Sequence, residues 1–376
     1  MITKENAKKY IIVYESTPID LSLAASHLKK EFDALYGTDT ECVCDGSHRN
    51  AIMIGRSDSE GNKAPLMSYS IKSEGESIRL HCGGVYSAVC AADRLIRLLS
   101  EGCPETSVSE VLLSPDRLPL TEGSDLRVMT SNILAERWLC GGRPKIEIRA
   151  EIYAAHLAKY APELVGVQET DMPWVEIFPA YLDVLRDEYG VDYSWDQNTV
   201  DDVANLTSIL YQKKRFSMKE HGMRDFSYFT HVKYKLRVLT FAVFKDEQTG
   251  KTVALVNTHW SGNKENSVLE IKEENALVRD LEARYEGITV FCTGDFNMHG
   301  NLAFEPMKQG TGLVDAREAA EESGTLVNRL SGIGSDIYID HVFFNTQVKV
   351  TRYETVDDPP AHLLSDHLPQ YGDFTL

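Results

Sequence analysis

The sequence predicts an α/β protein with two domains, a small α/β domain over residues 1–120 and a larger one over residues 121–376. Two observations support this prediction. Apolar runs typical of buried strands alternate with segments of helical spacing, and one polar, proline-containing segment, residues 114–124 (SPDRLPLTEGS), interrupts the alternation. Such a composition is typical of a linker, so we place the domain boundary near Leu120.

The composition is that of an ordinary globular protein and argues against broad contact with nucleic acid. Hydrophobic residues make up 43% and charged residues 26% of the chain, and 39 basic against 57 acidic side chains give a net charge of −18. A groove that holds a polyanion normally carries a basic stripe, because neutralising phosphates supplies most of the non-specific affinity. Any phosphate-bearing partner must therefore be bound locally.

The cysteine spacing indicates no zinc finger, and the apolar runs indicate no membrane span. The seven cysteines form no repeated CxxC pair and have no histidine at zinc-finger spacing, which predicts reduced thiols. No apolar run approaches the roughly 18 residues of a membrane span, and the start, MITKENAKKY, lacks the apolar core of a signal peptide. We expect a cytoplasmic protein, or a secreted one from which a signal peptide has been removed. The oligomeric state stays open.

The first domain is predicted to follow a β-α-β-hairpin-α order. The strands YIIVY and AIMIG flank a helix with apolar residues at helical spacing from Leu21 to Leu35, which Gly37 ends. A hairpin that turns near Gly75 and a helix over residues 85–99 complete the order.

The second domain contains seven apolar segments that we interpret as strands. They are residues 126–131, 164–168, 208–212, 238–244, 253–258, 289–293 and 338–344. Several are followed by an ionisable or amide side chain. The ends of strands hold side chains more tightly than free loops do, and α/β enzymes keep their sites there. The polar residues at these ends are therefore the candidate site residues.

Three strand ends carry one candidate each. Asn132 ends the first strand, where an amide either forms structural hydrogen bonds or binds a ligand. Glu169 follows the second strand, where a carboxylate either caps a helix or binds a cation. Tyr211 ends the third strand, where a tyrosine commonly packs in the core. These alternatives stay open on the residues alone.

Two later segments each place a pair of polar residues on one side of the chain. Asn257 and His259 are two residues apart, so an extended backbone directs both to the same face. Asp295 and Asn297 have the same spacing and follow Gly294, which permits close backbone approach. A carboxylate beside an amide can orient and partly deprotonate a water next to an anion. The same pair can also form an Asx-rich turn, and a single histidine is often structural.

The segments YIDHVFF and LLSDHLPQYGDF add acids and histidines near the C-terminus. Asp366 and His367 are adjacent, and Asp340 ends or interrupts a strand. A carboxylate such as that of Asp340 could orient a histidine through its ring N–H. We expect His341 and His362 to lie on the surface.

The order of these segments resembles the endonuclease/exonuclease/phosphatase superfamily, typified by DNase I-like nucleases. The residues are Asn132, VGVQET, Tyr211, NTH, GDFN, YID and a terminal SDHLP, and the resemblance covers residues 126–376. It implies a four-layer α/β/β/α sandwich with the site at one end. Two features depart from the family pattern: SDIYID lacks the arginine that often precedes the ID pair, and Trp260 stands where leucine commonly follows the histidine.

The resemblance implies a metal site and a water-activating residue. Mg²⁺ or Mn²⁺ would be held mainly by Glu169, helped by Asn132 and Asp366. Asp295 would orient or deprotonate the attacking water, with Asn297 beside it. In-line attack on a phosphoester needs such a cation on oxygen ligands, a positioned water and donors to the phosphate oxygens.

The remaining candidates would contact the phosphate. The resemblance implies that His367 hydrogen-bonds the phosphate oxygens and is oriented by Asp340. His259 and Tyr211 would contact the phosphate or assist the leaving group.

We therefore expect a metal-dependent phosphoesterase acting on a small, lipid-like or sugar phosphate, either a diester or a monoester. The alternative is an endonuclease or exonuclease on DNA or RNA, which could use the one basic concentration near these segments. That concentration consists of Lys213, Lys214, Arg215, Lys233, Lys235 and Arg237. A further alternative is a catalytically silent binding module of the same fold, against which the filled polar positions argue.

The first 120 residues resemble the small α/β domain that precedes the catalytic barrel in some glycoside hydrolases, such as hexosaminidases and glucuronidases. The resemblance rests on the helix after YIIVY, the IMIG strand and the segment IRLHCGGVYSAVCAADRLIRLL. It implies a mostly structural domain. We expect no catalytic residue in it and a role in docking or in shaping the substrate mouth.

Overall fold

The structure is a computed structural model that divides into two compact units, Met1–Arg117 and Leu118–Leu376. It describes residues 2–16, 20–46, 48–56, 61–62, 64–102, 117–138, 143–197, 206–226, 237–298, 301–326, 338–345 and 348–376. The sequence placed the boundary at Leu120. Some predicted features lie outside the described residues: Cys103, Cys140, residues 114–116 of the linker, Lys233 and Lys235.

The first unit is a five-stranded sheet with two helices packed side by side against it. Its elements are β1 (Ile11–Tyr14), α1 (Ser22–Tyr36), β2 (Cys42–Cys44), β3 (Ala51–Gly55), β4 (Tyr69–Glu74), β5 (Ser77–Cys82) and α2 (Val85–Ser100). The strand order is β2-β1-β3-β5-β4, with only β4 antiparallel. Gly37 ends α1 with a φ of 69°, a left-handed conformation that glycine adopts without strain. This unit has the small α/β fold expected from the sequence.

The second unit contains two sheets and six helices among the described residues. In chain order, its elements up to residue 259 are β6 (Leu126–Asn132), α3 (Ile146–Tyr160), β7 (Leu164–Thr170), α4 (Met172–Tyr189), β8 (Tyr193–Asp196), β9 (Leu206–Gln212), β10 (Phe216–Asp225), β11 (Val238–Asp246) and β12 (Thr252–His259). The remaining elements are α5 (Lys264–Arg284), β13 (Thr289–Asp295), α6 (Asn301–Thr311), β14 (Val314–Asp315), α7 (Ala316–Ala319), β15 (Glu322–Ser323), β16 (Asp340–Phe344), β17 (Lys349–Thr355), α8 (Ala361–Leu364) and β18 (Gln370–Thr375).

The two sheets pack face to face and form the inner layers of a sandwich. One sheet has the order β15-β17-β18-β6-β7-β9-β8 and the other β10-β11-β12-β13-β16-β14. Because strand side chains alternate between faces, every second residue joins the apolar layer between the sheets, as do Val128, Leu164, Leu255, Phe291 and Val342.

Helices cover the outer face of each sheet. Leu277 and Leu281 of α5 and Phe304 of α6 pack with Val256 and Val290, whose side chains point away from the other sheet. On the far side, α3 and α4 pack together, and α4 contacts β7. The second unit is thus the four-layer α/β/β/α sandwich that the family resemblance implied. No helix among the described residues is long and apolar enough to cross a membrane.

A polar contact crosses the apolar layer near one end of the sandwich. The amide of Gln168 donates to Oδ1 of Asn257 over 2.6 Å, and the amide of Asn257 donates to the carbonyl oxygens of Val167 and Ser208, each at 2.9 Å. Gly166 makes this approach possible, because a Cβ there would lie 1.9 Å from Oγ1 of Thr293. The two sheets are therefore hydrogen-bonded to each other through side chains at this point.

A buried ion pair ties the beginning of the second unit to its last strand. Arg127 of β6 pairs in register with Asp373 of β18 and donates to both of its carboxylate oxygens, at 2.6 and 2.8 Å. The same guanidinium donates to the carbonyl oxygens of Leu118, Pro119 and Tyr160. The exposed fractions of the two paired side chains are only 1% and 0%. One arginine therefore holds two strands, the end of α3 and the first residues of the unit.

Replacing Arg127 with methionine should lower the free energy of unfolding by about 3–5 kcal/mol, because Asp373 would remain buried without a counter-charge. Urea denaturation at neutral pH measures this loss. The matched control is Arg186→Met, since Arg186 forms only exposed ion pairs with Asp183 and Asp187. Its midpoint should stay close to that of the wild type, and equal losses in the two variants would contradict the assignment.

Candidate active site

Polar residues of the six-stranded sheet line up across three strands at one edge. β12 and β13 are parallel and place His259 beside Asp295, while β13 and β16 are antiparallel and place Asp295 beside Asp340. Each of these residues continues the strand face that points toward the other sheet, because it follows the alternation of the inner apolar layer. All three are at least 98% buried. The strand register thus concentrates two carboxylates and an imidazole between the sheets.

Glu169 reaches the same edge through a break in strand alternation. Leu164 and Gln168 face the other sheet, so a regular strand would direct Glu169 outward. The pairing of β7 with β9 shifts by one residue between Gln168 and Thr170, and Glu169 has a φ of 68°. Bulges of this kind turn a side chain to a new direction. The carboxylate of Glu169 accepts hydrogen bonds from Nδ2 of Asn132 at 3.1 Å and from the backbone N–H of Ala135 at 2.9 Å.

Asn132 connects acids of the two sheets. Its Nδ2 donates to Oε1 of Glu169 and to Oδ2 of Asp295, each at 3.1 Å. Its Oδ1 accepts the backbone N–H of Leu134 at 3.0 Å, which fixes the orientation of the amide. Asn132 therefore presents its NH₂ group to the carboxylates, and its oxygen is engaged by the backbone.

Asp295 lies at the centre of the site. Its Oδ2 is 3.1 Å from Nε2 of His259 and 3.7 Å from Nε2 of His367, and its Oδ1 accepts the backbone N–H of Asn297 at 2.9 Å. Burial alone would raise the pKa of Asp295, but the two histidines and these hydrogen bonds outweigh it and hold the pKa well below its ordinary value. Asp295 is therefore ionised at neutral pH.

His367 and Asp340 form a hydrogen-bonded pair, with Nδ1 of the imidazole 2.8 Å from Oδ2 of the carboxylate. Burial lowers the pKa of His367, but the charges of Asp340 and Asp295 outweigh burial and raise it to about 10. Burial raises the pKa of Asp340 in spite of His367. The Oδ1 of Asp340 has no hydrogen-bond partner among the described residues. His367 is thus an imidazolium whose Nε2 faces Asp295.

Asn297 and Asp366 lie at the margin of this group. Asn297 has a φ of 50°, and its amide donates to the carbonyl oxygen of Trp260 at 2.9 Å, so the side chain orients the loop after β12. Asp366 is half-buried and accepts a hydrogen bond from the hydroxyl of Ser365. It directly precedes His367 in the chain, and its charge adds to the raised pKa of that imidazole.

The structure places the partly buried Tyr211 against the apolar layer between the sheets and not at the site. β9 runs antiparallel to β7, and the register pairs Tyr211 with Leu164, five residues before Glu169. At about 3.3 Å per residue this separates Tyr211 from Glu169 by roughly 16 Å. The ring of Tyr211 packs against Phe244 with a centroid distance of 4.8 Å. The sequence analysis treated polar residues at the ends of strands as site candidates, but such residues share one edge only where the strands run in the same direction.

The same reversal removes much of the predicted basic concentration from the site. Lys213 and Arg215 follow Tyr211 at the opposite end of the sheet, where they pair with Asp192 at 3.0 Å and Asp246 at 2.8 Å. Arg237 directly precedes β11, whose Leu239 pairs with Thr258, so its backbone lies at the catalytic edge.

The surface location predicted for His341 is wrong. His341 is buried, because the alternation of β16 directs it away from Asp340 and toward the helical layer. Its Nδ1 lies 2.8 Å from Oδ2 of Asp315, and its ring stacks on Phe343 with a centroid distance of 5.4 Å. His362 is partly exposed and contacts Asp357.

Two residues that hold the loop after β6 were not predicted. Arg149 of α3 donates to the carbonyl oxygens of Ile133 and Leu134, at 2.9 and 2.6 Å, and to the carboxylate of Glu136. Nε1 of Trp174 in α4 donates to the same carbonyl oxygen of Leu134 at 3.0 Å. Both side chains are fully buried. Side chains of α3 and α4 therefore hold the loop that supplies an N–H group to Glu169.

The donor set of this edge suits a divalent cation. The buried carboxylates of Glu169, Asp295 and Asp340 supply oxygen ligands of the kind that Mg²⁺ and Mn²⁺ prefer. Ligand atoms of Asp295, Asp340 and His367 lie within 4.8 Å of one another.

The chain is similar to known proteins across this unit. The family model described as "Endonuclease/Exonuclease/phosphatase family" matches residues 129–367, more than half of the chain. No curated protein sequence matches significantly.

Solved structures share the fold. An endonuclease/exonuclease/phosphatase from Bacteroides vulgatus is 22% identical with a TM-score of 0.55, and the match covers 67% of this chain and 98% of that one. The mannosyl-6-phosphatase of Bacteroides thetaiotaomicron is 19% identical with a TM-score of 0.52, covering 67% and 100%. Truncated TDP2 from Caenorhabditis elegans is 21% identical with a TM-score of 0.52, covering 67% and 98%.

Replacing Asp340 with asparagine should lower the pKa of His367 from about 10 by about 1–3, because the nearest negative charge is removed. A pKa raised in the folded state stabilises the fold below the ordinary histidine value, and this stabilisation is lost as the pH rises through the raised value. NMR titration of ¹⁵N-histidine-labelled protein in EDTA measures the change.

His341 provides the internal control for this titration. Burial lowers the pKa of His341, but its partner Asp315 raises it by more, and the neighbouring Asp340 adds a smaller upward contribution. In Asp340→Asn the pKa of His341 should therefore fall by less than that of His367. An unchanged pKa of His367 in Asp340→Asn would contradict the assigned pair.

Proposed function

The chain belongs to the endonuclease/exonuclease/phosphatase family, whose members hydrolyse phosphoric ester bonds, and on that premise we propose that it is a divalent-metal-dependent phosphoesterase acting on a small phosphodiester or phosphomonoester. One observation carries the proposal. Glu169 and Asn132 of one sheet meet Asp295 of the other through shared hydrogen bonds, with the Asp340–His367 pair beside them.

Glu169 would be the principal metal ligand and Asp366 a further one. Asn132, expected from the sequence to help bind the cation, instead has its Oδ1 engaged by the backbone N–H of Leu134. Asn132 holds Glu169 in place through its NH₂ group. A bound cation would offset the negative charge that builds on the phosphoryl oxygens and the leaving group. It would also reverse the local sign of the potential, which explains how an acidic site accepts a phosphate.

Asp295 is assigned to the attacking water. It is ionised, and its Oδ1 is held by the backbone N–H of Asn297, so the carboxylate has one orientation. A carboxylate of fixed orientation can align a water for in-line attack and accept part of its proton. Nε2 of His259, 3.1 Å from the same carboxylate, helps to hold it.

His367 is assigned to the phosphate oxygens. Asp340 accepts from Nδ1, which leaves the protonated Nε2 to donate to a non-bridging oxygen. A donor held in place before the reaction stabilises the negative charge that develops during attack. Asp340 is therefore assigned to orient His367.

Three observations support a small substrate. The chain carries a net charge of −18, and Lys213 and Arg215 are paired with acids at the edge opposite the site. Lys213 and Arg215 are therefore not placed to make the distributed phosphate contacts that supply the affinity for a polyanion. The fold is shared with a mannosyl-6-phosphatase, so sugar phosphates are the first class to test.

The wild-type protein should hydrolyse a chromogenic phosphomonoester or phosphodiester with Mn²⁺ or Mg²⁺, and EDTA should abolish the activity. Asp295→Asn should lower kcat by about 10²–10⁴-fold, because the group that receives the proton is lost. Steady-state kinetics on both substrates, followed by a panel of sugar phosphates, measures these effects.

Glu169→Gln is the matched variant for the metal role. It should weaken Mn²⁺ binding at least about tenfold, whereas Asp295→Asn should retain most of that affinity. Near-normal turnover by Asp295→Asn would show that the water-activating residue is assigned incorrectly.

Tyr211→Phe should leave kcat/KM within about twofold of the wild type, because the hydroxyl of Tyr211 lies at the opposite end of its strand from Glu169. The same assay measures it. A large fall in kcat with unchanged thermal stability would contradict this prediction and show that Tyr211 acts in the active site.

A further inference from the structure

In the loop after β6, two peptide groups each contact a site residue through the N–H, and Arg149 binds the C=O of the same peptide group. In the first, the N–H of Leu134 donates to Oδ1 of Asn132 at 3.0 Å, and the carbonyl oxygen of Ile133 accepts from Arg149 at 2.9 Å. In the second, the N–H of Ala135 donates to Glu169 at 2.9 Å, and the carbonyl oxygen of Leu134 accepts from Arg149 at 2.6 Å.

Because the peptide bond is planar, contacts to its C=O also fix the direction of its N–H. The C=O of one residue and the N–H of the next belong to one rigid plane and point in opposite directions. Fixing the carbonyl oxygens of Ile133 and Leu134 therefore fixes the directions of the following N–H groups. Those N–H groups set the rotation of the Asn132 amide and of the Glu169 carboxylate.

The loop would not keep this geometry unaided. Leu134 has a φ of 59°, in the left-handed region that residues with a Cβ rarely adopt. Such a conformation persists only where surrounding contacts hold it. The carbonyl group of Leu134 has two such contacts, Nη1 of Arg149 and Nε1 of Trp174.

The chemistry of the guanidinium explains why an arginine occupies this position. Its planar fork donates to two carbonyl oxygens and to the carboxylate of Glu136 at the same time, which a single ammonium group cannot match in geometry. Glu136 balances the charge of this fully buried side chain, and the guanidinium lies over the ring of Trp174 at 5.2 Å.

We propose that Arg149 and Trp174 are positioning residues that set the metal affinity of the site by aiming the N–H groups of Leu134 and Ala135 at Asn132 and Glu169. The inference rests on the proposed function, because it requires Glu169 to hold a cation. Residues that orient a metal ligand through hydrogen bonds commonly change metal affinity when they are replaced.

The test measures Mn²⁺ binding to the full chain by isothermal titration calorimetry without substrate. Arg149→Lys should weaken Mn²⁺ binding about tenfold, and Trp174→Phe, which removes one hydrogen bond and keeps an aromatic ring, should weaken it about threefold. With saturating Mn²⁺, kcat of both variants should return to within about twofold of the wild type.

Arg127→Lys is the matched control, since it alters an equally buried arginine that touches none of the site residues. It should lower the unfolding midpoint and leave the Mn²⁺ affinity unchanged. If Arg149→Lys does not fold, Trp174→Phe decides the question.

The outcomes distinguish failure of the proposed function from failure of the positioning role alone. Wild-type protein that binds no Mn²⁺ would overturn the proposed function and this inference with it. Wild-type binding together with unchanged affinity in the folded variants would overturn the inference alone, as would a fall in kcat that saturating Mn²⁺ does not restore.

Discussion

Buried negative charge is the constraint on which the catalytic unit depends. The carboxylates of Glu169, Asp295 and Asp340 lie together at one edge of the sandwich with little exposure to water. Each charge needs compensation, because burial of an unpaired ion is costly. Imidazoles, one asparagine amide and backbone N–H groups supply part of it, and a cation would supply the rest. Glu169 and Asn297 adopt left-handed backbone conformations, so the backbone is strained where these contacts are made.

Much of this edge could be predicted because its strands obey simple rules. Asn257 and His259 were expected on one strand face from their spacing, and they do share it, although Asn257 serves the contact between the sheets. β12 and β13 are parallel, so their C-terminal ends meet and bring His259 beside Asp295. Strand alternation and direction, both local in origin, account for these successes.

The errors arise where tertiary structure decides. Tyr211 satisfies the same local pattern but lies on an antiparallel strand, and direction cannot be deduced from the strand's own residues. His341 was expected at the surface because the helical layer that covers it comes from distant segments. Arg149 follows Ile146 and precedes Tyr153 on a buried helical face, so a charge within an apolar pattern was its only signal. What that charge binds is set by the loop after β6.

The side-chain hydrogen bonds between the sheets have a consequence for how the protein loses activity. Asn132 and Glu169 belong to one sheet and Asp295 to the other, so the site exists only while the sheets keep their relative position. Apolar contact resists separation of two sheets but offers little resistance to sliding, since it has no direction. Gln168 and Asn257, meeting behind the site where Gly166 admits close approach, supply directional resistance to shear. These hydrogen bonds therefore resist lateral movement of one sheet past the other. If they were weakened, the protein would lose activity while its secondary structure was still intact.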